Sequence, residues 1–177
     1  MAVNPPAYTI QTKSSGIKTK VAAGLIITML LVPSVKKFEG RELEAYLDLG
    51  GVPTICDGIT GKDIKIGQTA TDKECDGLLG KRLEHALAVV DKSVKPYLGP
   101  YQRAGLASFV YNIGEGNFRA STLLKDLNRG QMIAACNRMR VWVFIKGKDC
   151  RIEKNKCSGL VHRREIEREY CLNTKEL

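Results

Sequence analysis

At 177 residues and 19.5 kDa, with 44% hydrophobic and 27% charged residues, the chain has apolar material for one domain or a two-lobed one, and disorder is excluded for most of its length. The formal net charge is +9, but residues 1–37 hold five lysines and no acid, so the remainder, with 23 basic and 19 acidic residues, stands at only +4. Such a balance suits any anionic polymer and selects none, and no zinc-finger spacing, RNP-like aromatic run or arginine-rich block favours nucleic acid.

Residues 1–20, with Pro5, Pro6, Ser14, Ser15 and Gly16, show little hydrophobic periodicity and read as a flexible, cytoplasm-facing tail. Val21 to Val35, VAAGLIITMLLVPSV, is uncharged and flanked by Lys18 and Lys20 before and Lys36 and Lys37 after. As a helix it spans about 22 Å, short of the roughly 30 Å hydrocarbon core. A cleaved signal peptide fits the charged start, but no Ala-x-Ala-like site follows. A buried core helix is a second reading, and an uncleaved, weak signal anchor over residues 21–37 is the third and favoured one.

Phe38 to Gly61, FEGRELEAYLDLGGVPTICDGITG, sets out Glu39, then Asp48 nine residues on, then Thr54 six further, among five glycines. Two carboxyls and a hydroxyl on a bending backbone suit glycosidic cleavage, in which one acid gives a proton to the leaving oxygen and the other stays ionised beside a water or a developing positive charge. Glu39 follows Phe38 and an apolar run, so desolvation is expected to raise its pKa. Asp48 sits among glycines, where water and backbone N–H groups are expected to keep it charged. The alternative is a solvated β-hairpin carrying surface carboxylates.

From Leu43 to Ala70, short apolar runs around Tyr46–Leu49, Pro53–Cys56 and Ile64–Ile66 predict turns and short strands. Thr71 with Glu74 three later is a capping-box signature. Behind it Cys75, Leu78, Leu79, Leu83, Ala86, Leu87 and Val90 predict one apolar helical face running to Val94, with Pro96 ending the helix. Gly99-Pro100 opens a second helix that stops at Gly114 and Gly116. Ser121–Asn128 and Met132–Arg140 predict two more, separated by Gly130. Trp142, the only tryptophan, is expected to anchor the core of this helical part. HRREIEREYCL reads as the last helix, with Arg163 and Arg164 either facing a glycan cleft or, the favoured reading, pairing with Glu167 and Glu169 at the surface.

Six cysteines, at 56, 75, 136, 150, 157 and 171, form an even, scattered set, with neither histidine near a cysteine pair, so no metal is expected. With a membrane-targeting N-terminus they favour disulfides made in an oxidising compartment, the alternative being buried thiols. Six cysteines allow 15 pairings. The expected set is Cys56 with Cys75, Cys150 with Cys157 and Cys136 with Cys171, each keeping its partners within one lobe.

The Glu39–Asp48–Thr54 stretch resembles the catalytic stretch of T4-type phage lysozymes, glycoside hydrolase family 24, whose signature is Glu, eight residues, Asp, five residues, Thr. SFVYNIGEGNFRASTLLKDLNRG and GLVHRREIEREYCL resemble segments of lambdoid-phage endolysins, so the likeness covers roughly 38–177. It implies an α+β, lysozyme-like fold: a small β-rich lobe beside a larger helical lobe, a cleft between them, and the signal-anchor helix in front. It implies hydrolysis of the β-1,4 bond between N-acetylmuramic acid and N-acetylglucosamine in peptidoglycan by a monomer without cofactor. Glu39 would be the general acid, while Asp48 and Thr54 position the attacking water, with inversion. The family pattern after Thr54 often runs Ile-Gly-x-Gly-His, whereas here it is Ile55-Cys56-Asp57-Gly58-Ile59. No role passes to the missing histidine, and Cys56 stands where glycine is usual.

The N-terminus resembles signal-arrest-release (SAR) endolysins, whose weak anchor holds the enzyme inactive in the host inner membrane, facing the periplasm, until it is released there. Glu39 lies four residues past Val35, about 6 Å along a helix, so an inserted anchor would hold the acid at the lipid headgroups. Two non-enzymatic rivals are a catalytically silent wall-binding module and a basic nucleic-acid-binding protein. A transglycosylase is the rival within the enzyme class.

Overall fold

The computed structural model describes residues 40–48 and 51–174. The expected tail, anchor and Glu39 lie outside the described residues.

Alternation of apolar and polar side chains after Gly40 gives β1 (Glu42–Leu47), which pairs antiparallel with β2 (Pro53–Cys56) in the register Tyr46↔Thr54 and Leu47↔Pro53. β2 pairs with the two-residue β3 (Ile59–Thr60), closing a three-stranded sheet. The run at Ile64–Ile66 forms no strand. Turns from Gly61 to Ile64 and from Lys65 to Gln68, the second with Gly67 at φ 84°, use up its backbone bonds. Pairing resumes just after it, where Ala45 N–H donates to Gln68 O (2.8 Å) and Ala70 N–H to Leu43 O (2.8 Å). Ala45, Ile55, Cys56, Ile59 and Cys75 are the core of this small lobe.

The Thr71 capping box is present in full. Thr71 Oγ1 accepts the Glu74 N–H and the Glu74 carboxylate accepts the Thr71 N–H, opening α1 (Asp72–Ser93). At 22 residues, α1 is about 33 Å long. Its Cys75 and Leu78 pack in the small lobe, and Leu79, Leu83, Ala86, Val89 and Val90 pack in the large one, so a single helix joins the two cores. It stops before Pro96, and Asn128 brackets its end by donating to Ser93 O and accepting from Lys95 N–H.

The large lobe is built around α2 (Pro100–Ile113), buried continuously from Ala104 to Val110. Gly114 (φ 84°) ends it, and α3 (Glu115–Ala120), α4 (Thr122–Asn128) and α5 (Met132–Asn137) follow. The helix expected to reach Arg140 instead tightens into a 3-10 turn, Arg138–Val141. A small hairpin of β4 (Phe144–Ile145) and β5 (Lys148–Asp149) precedes α6 (Ser158–Leu172). Trp142 sits at the margin of the core, half-buried and edge-on to Phe109 with ring centroids 5.8 Å apart. Phe109 and Phe118 themselves are fully enclosed.

α6 crosses α2 at Gly105, where a Cβ would stand 2.6 Å from Glu167 O and 2.8 Å from Tyr170 Cβ. The surface pairing expected for Arg163 and Arg164 is therefore wrong. Their face of α6 meets α2, so both are buried with Glu167, while Glu169 takes no part. All three expected disulfides are present: Cys56–Cys75 ties β2 to α1, Cys136–Cys171 ties α5 to α6, and Cys150–Cys157 closes the segment before α6.

Candidate active site

Two of the three predicted site residues flank the reversal between β1 and β2, Asp48 just after β1 and Thr54 on β2. Gly51, at φ 75°, makes the reversal that an L side chain resists, and Gly51 N–H donates to Asp48 O (2.9 Å). Both polar groups of Val52 then serve the site. Its N–H donates to Asp48 Oδ1 (2.9 Å), and its carbonyl accepts both the Asp48 N–H (3.0 Å) and the Thr54 hydroxyl (2.9 Å). Thr54 is 2% exposed. With its proton committed to Val52 O, its oxygen is left as an acceptor, the geometry that orients a water by one of its hydrogens. Asp48 and Thr54 are thus brought to one backbone anchor, while Glu39 lies outside the described residues.

Cys56 answers the question its departure from the family pattern raised. Its φ is +57°, in the left-handed region where glycine costs least, and the disulfide to Cys75 holds it there.

A groove of about 270 Å³ opens between the lobes, beside the strand that pairs with Thr54. Gly58 and Thr60 line one wall, Arg82 and His85 of α1 another, and Tyr111, Asn112 and Glu115 the third. Arg82 donates to Thr60 O across the lobe junction, and Tyr111 donates its hydroxyl proton to Asp57 O (2.7 Å). Glu115 takes Arg119 Nε at 2.7 Å and faces His85 Nε2 at 3.2 Å. The Arg119 guanidinium first, and His85 after it, hold the Glu115 carboxyl below its usual range. Asn112 Oδ1 is fixed by buried Arg164, whose guanidinium also lies over the Phe109 ring at 5.0 Å. The amide, hydroxyl and charged groups that line the groove are of the kinds that hydrogen-bond a polar ligand such as a sugar.

These groove residues had no predicted roles. The VYNIGEG segment marked the region, but which of its side chains face the groove follows from the angle at which α2 ends, and no spacing encodes that. Among the described residues no cluster of His, Cys, Asp or Glu is arranged to hold a metal ion.

A phage lysozyme family model matches residues 36–167. The chain belongs to the phage lysozyme family. This lysozyme is 44% identical over 134 residues to a SAR-endolysin of Enterobacteria phage PA-2, covering 76% of this chain and 77% of the relative. Among solved structures, it resembles an endolysin from Escherichia coli O157:H7 phage FAHEc1 at 31% identity and TM-score 0.67, covering 88% of this chain and 94% of the other. A mutant P22 lysozyme matches at 33% identity and TM-score 0.65, with coverage of 80% and 94%. The nucleic-acid-binding and silent-module alternatives find no support in these likenesses. The lysozyme is a glycoside hydrolase and a peptidoglycan-lysing endolysin.

Proposed function

We propose that this endolysin hydrolyses the β-1,4 bond between N-acetylmuramic acid and N-acetylglucosamine with Glu39, Asp48 and Thr54 as its working groups. The observation that carries the reading is the shared Val52 anchor, which brings the Asp48 carboxylate and the Thr54 acceptor hydroxyl together, with Thr54 one strand from Thr60 of the groove wall. Glu39 gives its proton to the glycosidic oxygen as the bond to the anomeric carbon breaks. Asp48 polarises a water that Thr54 orients, and the water's oxygen bonds to the anomeric carbon from the opposite face, inverting it. The water's proton passes to Asp48, and exchange with solvent restores both acids.

Residues 38–177 form the catalytic domain in this reading. Residues 1–20 are the cytoplasmic tail, and residues 21–37 tether the protein to the host inner membrane until release to the periplasm, where it acts as a monomer. Support comes from the lysine-flanked apolar run and from the likeness to relatives described as SAR-endolysins. Among the described residues no helix is long and apolar enough to cross a membrane, and residues 21–37 are not among them.

The test is mass spectrometry of muropeptides released from purified sacculi in H₂¹⁸O. Hydrolysis predicts reducing ends carrying one ¹⁸O. Anhydro-muramic ends without label would make the enzyme a transglycosylase.

A further inference from the structure

Among the described residues eleven large apolar side chains are exposed, and four of them, Val141, Phe144, Ile145 and Ile152, fall within one short stretch around the β4–β5 hairpin. Exposed apolar side chains scattered singly are ordinary, whereas a cluster marks a surface that meets something. β4 and β5 pair in the register Phe144↔Asp149 and Ile145↔Lys148, and the two residues between them, Lys146 (φ 48°) and Gly147 (φ 76°), both have the positive φ of a tight hairpin turn. Successive strand residues point to opposite faces, yet Phe144 (52%) and Ile145 (38%) are both exposed, so neither face of the ribbon lies on the body. Its roots are buried: Val143 and Cys150 are each 1% exposed, and Cys150 N–H donates to Val143 O (2.8 Å). The Cys150–Cys157 disulfide and the Asn155 amide, which donates to Asp149 O (2.7 Å), hold the returning chain. The hairpin is therefore a braced projection with apolar sides.

Positive charge is concentrated in the same place. Residues 144–157 carry Lys146, Lys148, Arg151, Lys154 and Lys156 against Asp149 and Glu153, a net +3 out of the +4 on residues 38–177. Arg151 is spent on Asp149, at 2.6 Å, and lies over the Phe144 ring at 5.6 Å. All four lysines are exposed, and none has an ion-pair partner among the described residues, with Glu153 the one acid left beside them.

We infer that the β4–β5 hairpin is a docking surface for an anionic lipid bilayer, with Phe144 and Ile145 entering the headgroup boundary and the surrounding lysines meeting lipid phosphates. An acidic glycan or peptide would satisfy the lysines but leave the apolar side chains in water. A bilayer of no net charge would cover the apolar side chains but hold the lysines weakly. Both features are met only where an apolar phase adjoins an anionic one. The long lysine stems let the ammonium groups stay among the headgroups while the apolar sides of the hairpin sit deeper. Because the turn, the disulfide and the buried roots fix the projection in advance, docking orders little that is not already ordered. The contact lies on the bilayer without crossing it, is separate from residues 21–37, and depends on no assignment of catalytic residues. After the release proposed above, it keeps the folded domain at a membrane face.

The test moves the only indole of the full-length protein onto the hairpin, by combining Trp142→Phe with Phe144→Trp, and reads its quenching by vesicles whose acyl chains carry bromine. Residues 1–39 contain no tryptophan, so the signal reports the hairpin and not the apolar segment. Vesicles of phosphatidylethanolamine and phosphatidylglycerol should quench this reporter, with binding that weakens as salt rises, and phosphatidylcholine vesicles should not. Adding Ile145→Ser, or Lys146→Gln with Lys148→Gln, should each raise the apparent Kd about tenfold, while turnover of solubilised peptidoglycan and the thermal midpoint stay at the reporter's values. Equal quenching of the reporter and both variants would mean that residues 21–37 alone carry the domain to the bilayer, and the docking surface would be overturned. Loss in the lysine variant alone would overturn it too, since charge attraction would then account for everything. An unquenched reporter on the anionic vesicles overturns it outright; joined to lysine-dependent retention on purified sacculi, that result would make the acidic wall the partner instead.

Discussion

Among the described residues Arg164 is the largest side chain fully enclosed, and it is charged. Glu167 makes that tenable. It takes Arg164 on one oxygen and Arg163 Nε (3.0 Å) and the Ser108 hydroxyl (2.7 Å) on the other, and Arg164 goes on to hold Asn112 at the groove. Breaking such a buried pair leaves an uncompensated charge, so Glu167→Ala should cost about 3–5 kcal/mol, read from urea unfolding. A loss under about 1 kcal/mol would mean that the guanidinium groups find other partners. The pairing was legible in the sequence, because Glu167 stands four after Arg163 and three after Arg164, on one helical face. Its burial was not. That depends on small residues at Gly105 and Ser108 of a different helix, which let α6 come close enough to enclose the pair. The candidacy of Asp48 and Thr54 came from a resemblance to a family signature, whereas their meeting at Val52, which serves them only through its backbone, leaves no trace in side-chain chemistry.

Among elements, α1 was readable from both ends: its capping box, apolar stripe and proline stop are local signals, and the helix obeys them. Thr71→Ala should lower the thermal midpoint by about 2–4 °C, the usual effect of a lost N-cap in a domain of this size. The effect carries a pH signature. The Thr71 backbone N–H, then its hydroxyl, hold the Glu74 carboxyl below its ordinary value. A depressed acid stabilises the fold above its unfolded-state pKa and loses that contribution as pH falls through the folded value. Thr71→Ala keeps the backbone N–H and removes only the smaller, hydroxyl part of that depression, so its gap from wild type should narrow but not close in acid below the ordinary glutamate range, because the lost Glu74 N–H bond to the hydroxyl does not titrate. A difference that does not change with pH would show the hydroxyl–carboxylate contact to be idle. At the α2–α6 crossing, Gly105→Ala forces a methyl against backbone atoms and should cost about 1–3 kcal/mol or more in the same unfolding experiment. That crossing was not legible, since a lone glycine in a helix reads only as a weak position. Of the segment read as turns and short strands, the apolar residues between Gly61 and Gly67 serve turns, and pairing with β1 falls just after them, at Gln68 to Ala70.

For the whole molecule, the two-lobed fold and the family were legible because the resembling segments fall at the start, middle and end of the chain, and the family match over residues 36–167 spans them. The lobes share one connecting helix and meet at the groove. In the tethered state proposed above, residues 21–37 hold Glu39 at the membrane. Replacing Gly24, Thr28 and Ser34 with leucine would deepen membrane residence, since each swap exchanges a marginal residue for a strongly apolar one. Expressed in Gram-negative cells, that triple variant should stay in the membrane fraction and fail to lyse the culture; lysis at the normal rate would refute the tether. The central claim, an acid at position 39 working opposite Asp48 and Thr54, has a more direct test in the rate of hydrolysis of purified sacculi by wild type and Glu39→Gln at equal concentration. The account predicts a loss of about 10²-fold or more with the fold intact. Equal rates would contradict it.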